Sequence, residues 1–514
     1  MPSWTDGYVT DIQYASGFYR ELSPTYLAYL CDLIGVRAPD IAKPFTYCEL
    51  GCGQGLGSNL LAATHPNGAF YAYDFNPAQI ANAQMLATAG GLTNIRFLER
   101  SFQELAEEPP HVEPLFDFIV FHGIISWIMP EHFQHIVTFL QRRLRPGGLV
   151  YASYNCLPGW TAMTPLQRLL REYAKQHPGR SDYQLREGLA FTNTLQQAGA
   201  AYFSANPGVP TRLEKLSGLN QNYLAHEYLN EAWVLFYFAD VARELERAKL
   251  SFVGSAFLFD NFDHLCVPEK VRPLVKQARD PIFAQTIRDF AINRQFRRDL
   301  FVRGANRIGM PEQTARLRQT TFQLLQDVVQ SPLRFKVPLG EVTANPAQYD
   351  PVVKALRAKP ASLGDVLTLP ELAGRPFGEV SQTLAILVGD GLAHPVADRK
   401  LRSVSQAQAL NRAVARRALL GDDYAFLGAP AAGTAIPATF MDMCILLALS
   451  EKSGTPKQAD IIDDVWRLLG QYGRRLIKKG VTLETRQDSA AELELQVSEF
   501  FTTKYPYWKA LGIL

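Results

Sequence analysis

Glycines and two acidic residues form the group in this sequence that is best suited to holding a ligand. An apolar run ends at Glu49, and glycines follow at positions 51, 53 and 55. Glycine lets the backbone turn tightly and approach a ligand closely, because no Cβ intervenes. Asp74 closes the next apolar run about 20 residues further on, where a second strand can offer a carboxylate to ribose hydroxyls. The spacing predicts a strand, turn, helix and strand that bind a nucleoside.

The position of Glu49 narrows the choice of nucleoside. A dinucleotide enzyme uses similar glycines, but an acid two residues before the first glycine is badly placed beside a pyrophosphate and well placed beside an ammonium group. The pattern E-x-G-x-G-x-G resembles the cofactor motif of class I S-adenosylmethionine-dependent methyltransferases. The ligand of that family carries an amino acid and a sulfonium in place of phosphates. The remaining alternative is a glycine-rich turn without a ligand.

Later segments fit the same resemblance. Residues 94–98 predict a third strand and residues 116–121 a fourth, and the sequence L-R-P-G-G at 144–148 precedes a fifth. Alternating strands and helices imply a parallel sheet covered on both faces. In the family an Asp is usual where Ser101 stands, facing the adenine. The resemblance implies S-adenosylmethionine as cofactor, with these binding residues: Tyr14, Glu49, Gly51, Gly53, Gly55, Asp74, Phe75, Ser101, Phe102 and His122.

A closer resemblance rests on four later segments. Leu224–Asn230, Phe236–Phe238, Leu250–Gly254 and Asn293–Arg298 together resemble the methyltransferase regulatory domain. Bacterial proteins that join this domain to a class I core include the rickettsial-type protein lysine methyltransferases. That resemblance spans about residues 8–305, and it implies N-methylation of lysine side chains on a protein. It also implies that the aromatic segment before residue 24 covers the cofactor, with Tyr14 at the methionine carboxylate. The alternative is that these aromatic residues only pack the first helix against the sheet.

The fold class that we expect is α/β, with a Rossmann-like methyltransferase sheet carrying helical insertions. Residues 1–305 would form the methyltransferase domain, with a helical insertion at about 160–225 and a regulatory segment at about 218–305. Within the regulatory segment, the apolar period of residues 231–250 predicts a helix. Residues 251–256 and 298–303 predict the sixth and seventh strands.

Residues 306–514 would form a mainly α C-terminal domain. Residues 310–335 predict a helical link, and residues 361–394 predict a winged-helix-like unit. The stretch 375–400 is not notably basic, which favours protein contact or a scaffold over DNA. Residues 421–437 are rich in Gly, Ala and Pro and predict a loop.

Methyl transfer to an amine requires a neutral nucleophile aligned behind the sulfonium methyl. A lysine has an unperturbed pKa of about 10.4, so the site must favour the neutral amine or accept a proton. Glu227 is placed to orient an ammonium or accept its proton, and Trp127 and Trp160 to wall an alkyl chain. The candidate catalytic residues are His122, Trp127, Tyr154, Asn155, Trp160, His226, Glu227 and Tyr228. The alternatives are a capping or interdomain pair for His226 and Glu227, and ordinary packing for Trp160.

Composition limits the partners. The net charge of +2 comes from 52 basic and 50 acidic residues, which gives no electrostatic reason to expect nucleic acid. No apolar run has the ~18 residues of a membrane helix, and no secretory signal is visible. Six cysteines without a C-x-x-C pair predict neither a disulfide nor a metal site, and reduced thiols favour the cytoplasm.

Three functions remain open at this point. The favoured one is a protein lysine N-methyltransferase. The alternatives are a small-molecule N- or O-methyltransferase and a non-catalytic scaffold that binds S-adenosylmethionine. The absence of N-P-P-Y or D-P-P-Y after the fourth strand argues against methylation of base amines through such a motif. Family resemblance also suggests a homodimer formed through the helical insertion.

Overall fold

The structure is a computed structural model. It describes residues 5, 7–12, 17–109, 114–216, 218–396, 403–421, 424–452, 454, 456–478 and 480–514.

A seven-stranded mixed sheet forms the centre of the N-terminal part of the chain. In chain order its strands are β1 (Phe45–Leu50), β2 (Gly68–Asp74), β3 (Ile95–Glu99), β4 (Phe116–Phe121), β5 (Leu144–Asn155), β6 (Leu250–Ser255) and β7 (Phe296–Arg303). Their order across the sheet is β3-β2-β1-β4-β5-β7-β6. Strand β7 runs antiparallel to both of its neighbours, and the first five strands are parallel. The predicted Rossmann-like sheet is confirmed.

Helices cover both faces of this sheet. Those between the first five strands, and the one before them, are α1 (Pro24–Ile34), α2 (Leu56–Thr64), α3 (Pro77–Ala89), α4 (Phe102–Glu107) and α5 (Pro130–Arg143). Strands β1 and β4 are almost wholly buried, as expected for central parallel strands with continuous apolar sequences. The carboxyl ends of β1, β2 and β4 therefore meet at one edge of a rigid core.

A helical insertion follows β5. Its helices are α6 (Thr164–Gln176), α7 (Ser181–Gln197), α8 (Ala201–Ala205), α9 (Gly208–Leu216) and α10 (Gln221–Tyr228). The helix α11 (Phe238–Glu246) then leads into β6. Between β6 and β7 lie α12 (Asp263–Cys266), α13 (Arg272–Gln277) and α14 (Pro281–Ala291).

The helix predicted over residues 231–250 is wrong in its first third. Residues 231–237 are not helical, and α11 begins only at Phe238. This segment instead bonds to the end of the sheet, where the backbone N–H of Val234 donates to Ser126 O and that of Phe236 donates to Asn155 O. These pairings replace the helical hydrogen bonds and hold the segment beside the end of β5.

The C-terminal region combines helices with short strands. Its helices are α15 (Met310–Gln319), α16 (Pro346–Ala358), α17 (Leu363–Val366), α18 (Phe377–Asp390), α19 (Val404–Ala418), α20 (Phe440–Ser450), α21 (Gln458–Gln471), α22 (Arg486–Thr503) and α23 (Tyr505–Leu511). Its strands are β8 (Thr321–Leu324), β9 (Arg334–Val337), β10 (Gly340–Thr343), β11 (Ala361–Ser362), β12 (Ala393–Pro395), β13 (Phe426–Ala429), β14 (Thr434–Pro437), β15 (Leu476–Lys478) and β16 (Val481–Leu483).

Two expectations for this region were wrong. The predicted helical link at 310–335 is helical only in α15, because β8 follows and forms a three-stranded sheet in the order β11-β8-β12. The predicted loop at 421–437 contains the antiparallel hairpin β13–β14, which packs on α2. Its small residues permit this contact, since a Cβ on Gly428 would lie 3.3 Å from Thr64. No helix among the described residues is long and apolar enough to cross a membrane.

Candidate active site

The glycine turn lies where two neighbouring parallel strands end. Leu50 at the end of β1 pairs with Tyr73, directly before Asp74. Gly51, Gly53 and Gly55 have φ angles of +71°, +53° and +72°, a region that favours glycine. A Cβ on Gly51 would overlap the side chain of Ile124, so the turn also needs glycine for space. The turn thus leaves its backbone open to a ligand.

Asp74 is held in a fixed orientation beside this turn. One carboxylate oxygen, Oδ2, accepts a hydrogen bond of 2.9 Å from the backbone N–H of Gly53. The other, Oδ1, accepts one of 3.0 Å from that of Asn76. Burial raises the pKa of Asp74 to about 6, although these hydrogen bonds act in the opposite direction. The carboxylate is therefore preorganised at the place where ribose hydroxyls are expected.

Glu49, near the end of β1, is a second buried acid beside the same turn. It accepts a hydrogen bond from the Ser58 hydroxyl. Burial raises the pKa of Glu49 to about 7, and the nearby charge of Asp74 contributes to the increase. A cation placed here would favour the ionised form. The pair therefore fits a ligand with an ammonium group and a ribose, which agrees with S-adenosylmethionine.

A cleft of about 910 Å³ opens above these residues. It is bounded by the glycine turn, the ends of β4 and β5, the helical insertion and residues from the N-terminal segment. The sequence-predicted residues that line it are Glu49, Gly51, Gly53, Gly55, Asp74, Phe75, Ser101, Phe102, His122, Trp127, Tyr154, Asn155, Trp160, His226 and Glu227.

Two predicted residues stand apart from this group. Tyr14 lies outside the described residues. Tyr228 is only 2% exposed and packs in the core of the helical insertion, with its ring edge-on to Trp160 at 6.5 Å. The neighbouring position on α10, Glu227, faces the cleft instead.

Ser101 caps helix α4 and lines the cleft. Its hydroxyl donates to Glu104 Oε2 at 2.9 Å and accepts from the backbone N–H of Glu104 at 3.2 Å. The hydroxyl hydrogen is thus already used, and Ser101 can offer a ligand only an acceptor lone pair. An exocyclic amine needs an acceptor of this kind.

His122 follows β4 and is a neutral, stacked residue. Its ring lies on that of Tyr19, with centroids 3.5 Å apart and planes inclined by 22°. Its Nδ1 lies 2.9 Å from the Tyr151 hydroxyl. Burial, assisted by the charge of Arg298, lowers the pKa of His122 to about 3. The imidazole is therefore uncharged at neutral pH and forms part of a flat wall.

Tyr154 lines the cleft with its ring while its hydroxyl points into a buried ionic network. The hydroxyl donates to Asp299 Oδ2 at 2.6 Å. Arg297 donates from Nε to the same oxygen at 2.7 Å and from Nη1 to Asp289 at 2.6 Å. Because the Tyr154 hydroxyl is bonded within this buried network, Tyr154 offers the cleft only an apolar surface.

Asn155, the next residue, is fixed to the fold by its backbone and has its polar side chain at the cleft. Its backbone N–H donates to Ser126 Oγ at 2.9 Å, which fixes the end of β5. Within the described part of the chain, no residue forms a hydrogen bond with its side-chain amide. The amide lies at the cleft and is 6% exposed as a residue. It is therefore available to orient a bound polar group.

Glu227 is the acid on the insertion side of the cleft. Burial raises its pKa to about 7, while a hydrogen bond from Tyr223 and the charge of Arg212 act in the opposite direction. The negative charge of Glu227 contributes to the raised pKa values of Tyr8, Tyr19 and Tyr223, for each of which burial is the largest cause. All four residues line the cleft, so one carboxylate shares it with three neutral phenols.

His226 and Trp160 have mainly structural surroundings. His226 Nε2 lies 3.3 Å from the carbonyl oxygen of Ile12, and burial lowers its pKa to about 4. The Trp160 ring meets Trp233 edge-on at 5.5 Å, and the Arg212 guanidinium lies 5.0 Å above its centroid. These contacts join the helical insertion to the N-terminal segment and to the segment that contains Trp233.

Several cleft residues were not identified as site residues from the sequence. Tyr8 and Tyr19 belong to the aromatic N-terminal segment, which was the signal for them. Arg212 and Tyr223 lie on amphipathic helices, and the sequence does not show which polar residue of such a helix faces a cleft. Tyr8 joins the two sides of the cleft, since its ring lies 6.0 Å from that of Phe75 and 5.5 Å from that of His226.

Comparisons with known families agree with this geometry. A family model described as a methyltransferase domain matches residues 41–199. A second model, described as a predicted methyltransferase regulatory domain, matches residues 220–303. The two matches cover the glycine turn and the segment that carries Glu227.

Individual proteins are similar over longer stretches. An uncharacterised protein of Synechocystis sp. is 39% identical over 99% of this chain and 100% of its own length. A protein of Rickettsia prowazekii is 27% identical over 65% of this chain and 59% of its own length. The solved structure of PKMT2 from Rickettsia typhi has a TM-score of 0.70 and 18% identity, and covers 97% of this chain and 99% of that one. PKMT2 in complex with AdoHcy gives a TM-score of 0.69. At this level of identity, the likeness to the solved structures shows a common fold.

Proposed function

The chain belongs to the class I S-adenosylmethionine-dependent methyltransferases that carry a methyltransferase regulatory domain, and on that premise we propose that it methylates lysine side chains of a protein. The observation that carries the proposal is Glu227, a carboxylate with a raised pKa among aromatic side chains at the cofactor cleft. A cationic amine is the acceptor that such surroundings fit best.

The cofactor half of the cleft fits its ligand. Glu49 would hold the amino group of the methionine part, Asp74 the ribose hydroxyls, and the Gly51–Gly55 turn would allow close approach of the backbone. S-adenosylmethionine supplies an activated methyl group on a sulfonium. The residues of the chain therefore have to align the acceptor and remove one proton.

The acceptor half would perform these two tasks. A lysine reaches the cleft mostly as an ammonium, because its unperturbed pKa is about 10.4. Glu227 would attract this cation and accept its proton, which the raised pKa near 7 favours. The side-chain amide of Asn155 would accept a hydrogen bond from the amine and so direct its lone pair. Trp127 and Trp160 would wall the alkyl chain.

Two further observations support a protein as the carrier of the amine. A solved protein with the same fold over nearly its whole length carries the name PKMT2, an abbreviation that fits the protein lysine methyltransferases that the sequence resembles. The helical insertion and the regulatory segment both reach the cleft, so the acceptor side is built from elements that are additional to the core sheet.

A small-molecule acceptor is the second candidate. The cleft volume of about 910 Å³ lies within the range of ordinary small-ligand sites. Arg212 also lies at this cleft, above the Trp160 ring, and a guanidinium there suits a carboxylate-bearing metabolite.

The test is transfer of labelled methyl from S-adenosylmethionine to a cell lysate that is then separated into protein and small-molecule fractions. We expect label in a protein band, and we expect Asp74→Ala to abolish it. Glu227→Gln should reduce the label while leaving cofactor affinity unchanged. Label confined to the small-molecule fraction would replace the proposal with the second candidate.

A further inference from the structure

A short segment before α1 makes contacts on two sides. We name residues 17–23 the strap. On the cleft side, Tyr19 stacks on His122 with ring centroids 3.5 Å apart. Arg298, which lines the cleft, forms an ion pair of 2.7 Å with Glu21. The carbonyl oxygen of Leu22 accepts a hydrogen bond of 3.0 Å from Tyr47 of β1.

The other side of the strap contacts the C-terminal region. Arg20 Nη2 donates to the carbonyl oxygen of Gly389, in the last turn of α18. Ser23 Oγ donates to Gly433 O, in the turn of the hairpin β13–β14, at 2.6 Å. The ring of Phe18 lies 5.8 Å from that of Phe426 in the same hairpin. The strap is therefore held between the cleft and the C-terminal region.

A second connection reaches the glycine turn directly. Asn82 on α3 donates from Nδ2 to the backbone oxygen of Gln54 at 3.2 Å. The same amide group donates to the Tyr424 hydroxyl at 2.9 Å. Helix α19 also packs on α2 and α3, the two helices that flank the glycine turn. The strap and the helices that flank the glycine turn, which bound the cleft on two sides, thus both contact the C-terminal region.

We propose that the C-terminal region is a structural part of the cofactor site, and that Arg20 is the positioning residue through which it holds the strap. This inference concerns cofactor binding and does not depend on the identity of the methyl acceptor. Arg20 acts on the cofactor through Tyr19 and Glu21, its neighbours in the chain, and has no chemical role of its own.

The physical basis is the end of helix α18. The last carbonyl groups of a helix lack intrahelical partners and carry partial negative charge, so a guanidinium is favourable there. Gly391, the C-cap of this helix, has a φ of +84°, and a Cβ on it would overlap Arg20. Glycine at this position therefore leaves the space in which the guanidinium lies.

The first experiment compares Arg20→Ala with Arg37→Ala. Arg37 forms an ion pair of 2.7 Å with Glu312 of α15, so its removal also deletes a contact with the C-terminal region but does not touch the strap. We expect Arg20→Ala to raise the Kd of S-adenosylhomocysteine, measured by calorimetry, about tenfold. It should raise KM for S-adenosylmethionine more than it lowers kcat. Arg37→Ala should leave both constants unchanged, and Arg20→Lys should restore part of the affinity.

The second experiment approaches the same contact from the C-terminal side. Gly391→Ala and Gly374→Ala impose similar backbone strain, since their φ angles are +84° and +81°, but only the Cβ at 391 meets Arg20. We expect weaker binding of S-adenosylhomocysteine in Gly391→Ala alone. This pair also decides the question if Arg20→Ala does not fold.

Hydrogen exchange provides a readout of the coupling itself. Because coupling between two sites is reciprocal, S-adenosylhomocysteine should slow amide exchange in residues 426–437 of the wild-type protein. The protection should be lost in Arg20→Ala. Wild-type affinity in both Arg20→Ala and Gly391→Ala, or unchanged exchange in the hairpin on binding, would overturn the proposal.

Discussion

The Tyr154 hydroxyl donates a hydrogen bond of 2.6 Å to Asp299, a carboxylate that is completely buried and also paired with Arg297. Strand β5 carries Tyr154 and strand β7 carries Asp299, so the bond joins two antiparallel neighbours at the edge of the cleft. The hydroxyl of Tyr154, a candidate catalytic residue from the sequence, is thereby held in the sheet by a structural hydrogen bond.

Tyr154→Phe should therefore affect stability more than catalysis. Removing the hydroxyl leaves a buried carboxylate with one partner fewer, which costs about 1–3 kcal/mol. We expect this loss in denaturant unfolding, together with a kcat that stays within about threefold of wild type. Tyr237→Phe is a matched control, because Tyr237 is 39% exposed. A fall in kcat of about 100-fold at unchanged stability would assign the hydroxyl to the reaction.

The glycine turn allows a second matched comparison. Gly51→Ala would place a Cβ against Ile124 at a φ of +71°, whereas Gly147→Ala has a similar φ of +79° and open space. Both variants should lose about 1–2 kcal/mol from backbone strain. We expect only Gly51→Ala to lose cofactor binding in calorimetry. Equal cofactor affinity in the two variants would contradict the placement of the ligand over this turn.

Glu49→Gln should separate stability from binding. Burial raises the pKa of Glu49 to about 7. Below the usual pKa of a glutamate the carboxyl group is neutral in the folded and unfolded states, and its contribution to stability is fully present. That contribution is lost as the pH rises through about 7, because burial of the charged carboxylate is unfavourable. Without cofactor, the variant should be more stable than wild type at pH 8 by about 1–2 kcal/mol, and similar at pH 4.

The same variant should bind S-adenosylmethionine more weakly, because the amide cannot neutralise an ammonium group. Thermal unfolding at the two pH values and calorimetry check the two halves of this prediction. If the variant is no more stable than wild type at pH 8 and binds S-adenosylmethionine normally, burial of the Glu49 carboxylate is not unfavourable and the carboxylate does not contact the cofactor.

Glu227 should control the acid side of the pH profile. Its carboxyl group must be ionised to accept a proton, and its pKa is raised to about 7, so kcat/KM for the acceptor should fall as the pH decreases through about 7. Glu227→Gln should lose this limb and be at least about tenfold slower at pH 8. Saturating S-adenosylmethionine keeps the titration of Glu49 and Asp74 out of the profile. An unchanged inflection in the variant would exclude Glu227 as its source.

The sequence predicts β1 and β2 well because each of these strands is marked twice, by an apolar run and by a glycine or an acid at its end. Glu49, Gly51 and Asp74 are examples, and the structure brings them together at one edge. Residues 231–237 were misjudged because aromatic residues at helical spacing there make backbone contacts with the end of β5.

The acceptor side and the C-terminal contacts were harder to predict. Glu227 and Tyr228 are adjacent in the sequence, but the helix turns one to the cleft and the other to the core. The hairpin containing Gly428 is rich in small residues that let it pack closely on α2, and this composition is also typical of a loop. The link from Arg20 to Gly389 joins residues far apart in the chain, and no local pattern marks such a pair.

The measurement that tests the central claim most directly is analysis of the labelled product. Protein labelled by methyl transfer from S-adenosylmethionine is hydrolysed completely in acid, and the amino acids are separated. We predict that the label elutes as N-methylated lysine, resists mild base before hydrolysis, and is absent with Asp74→Ala. Label that mild base releases, or that elutes with another amino acid, would contradict lysine methylation.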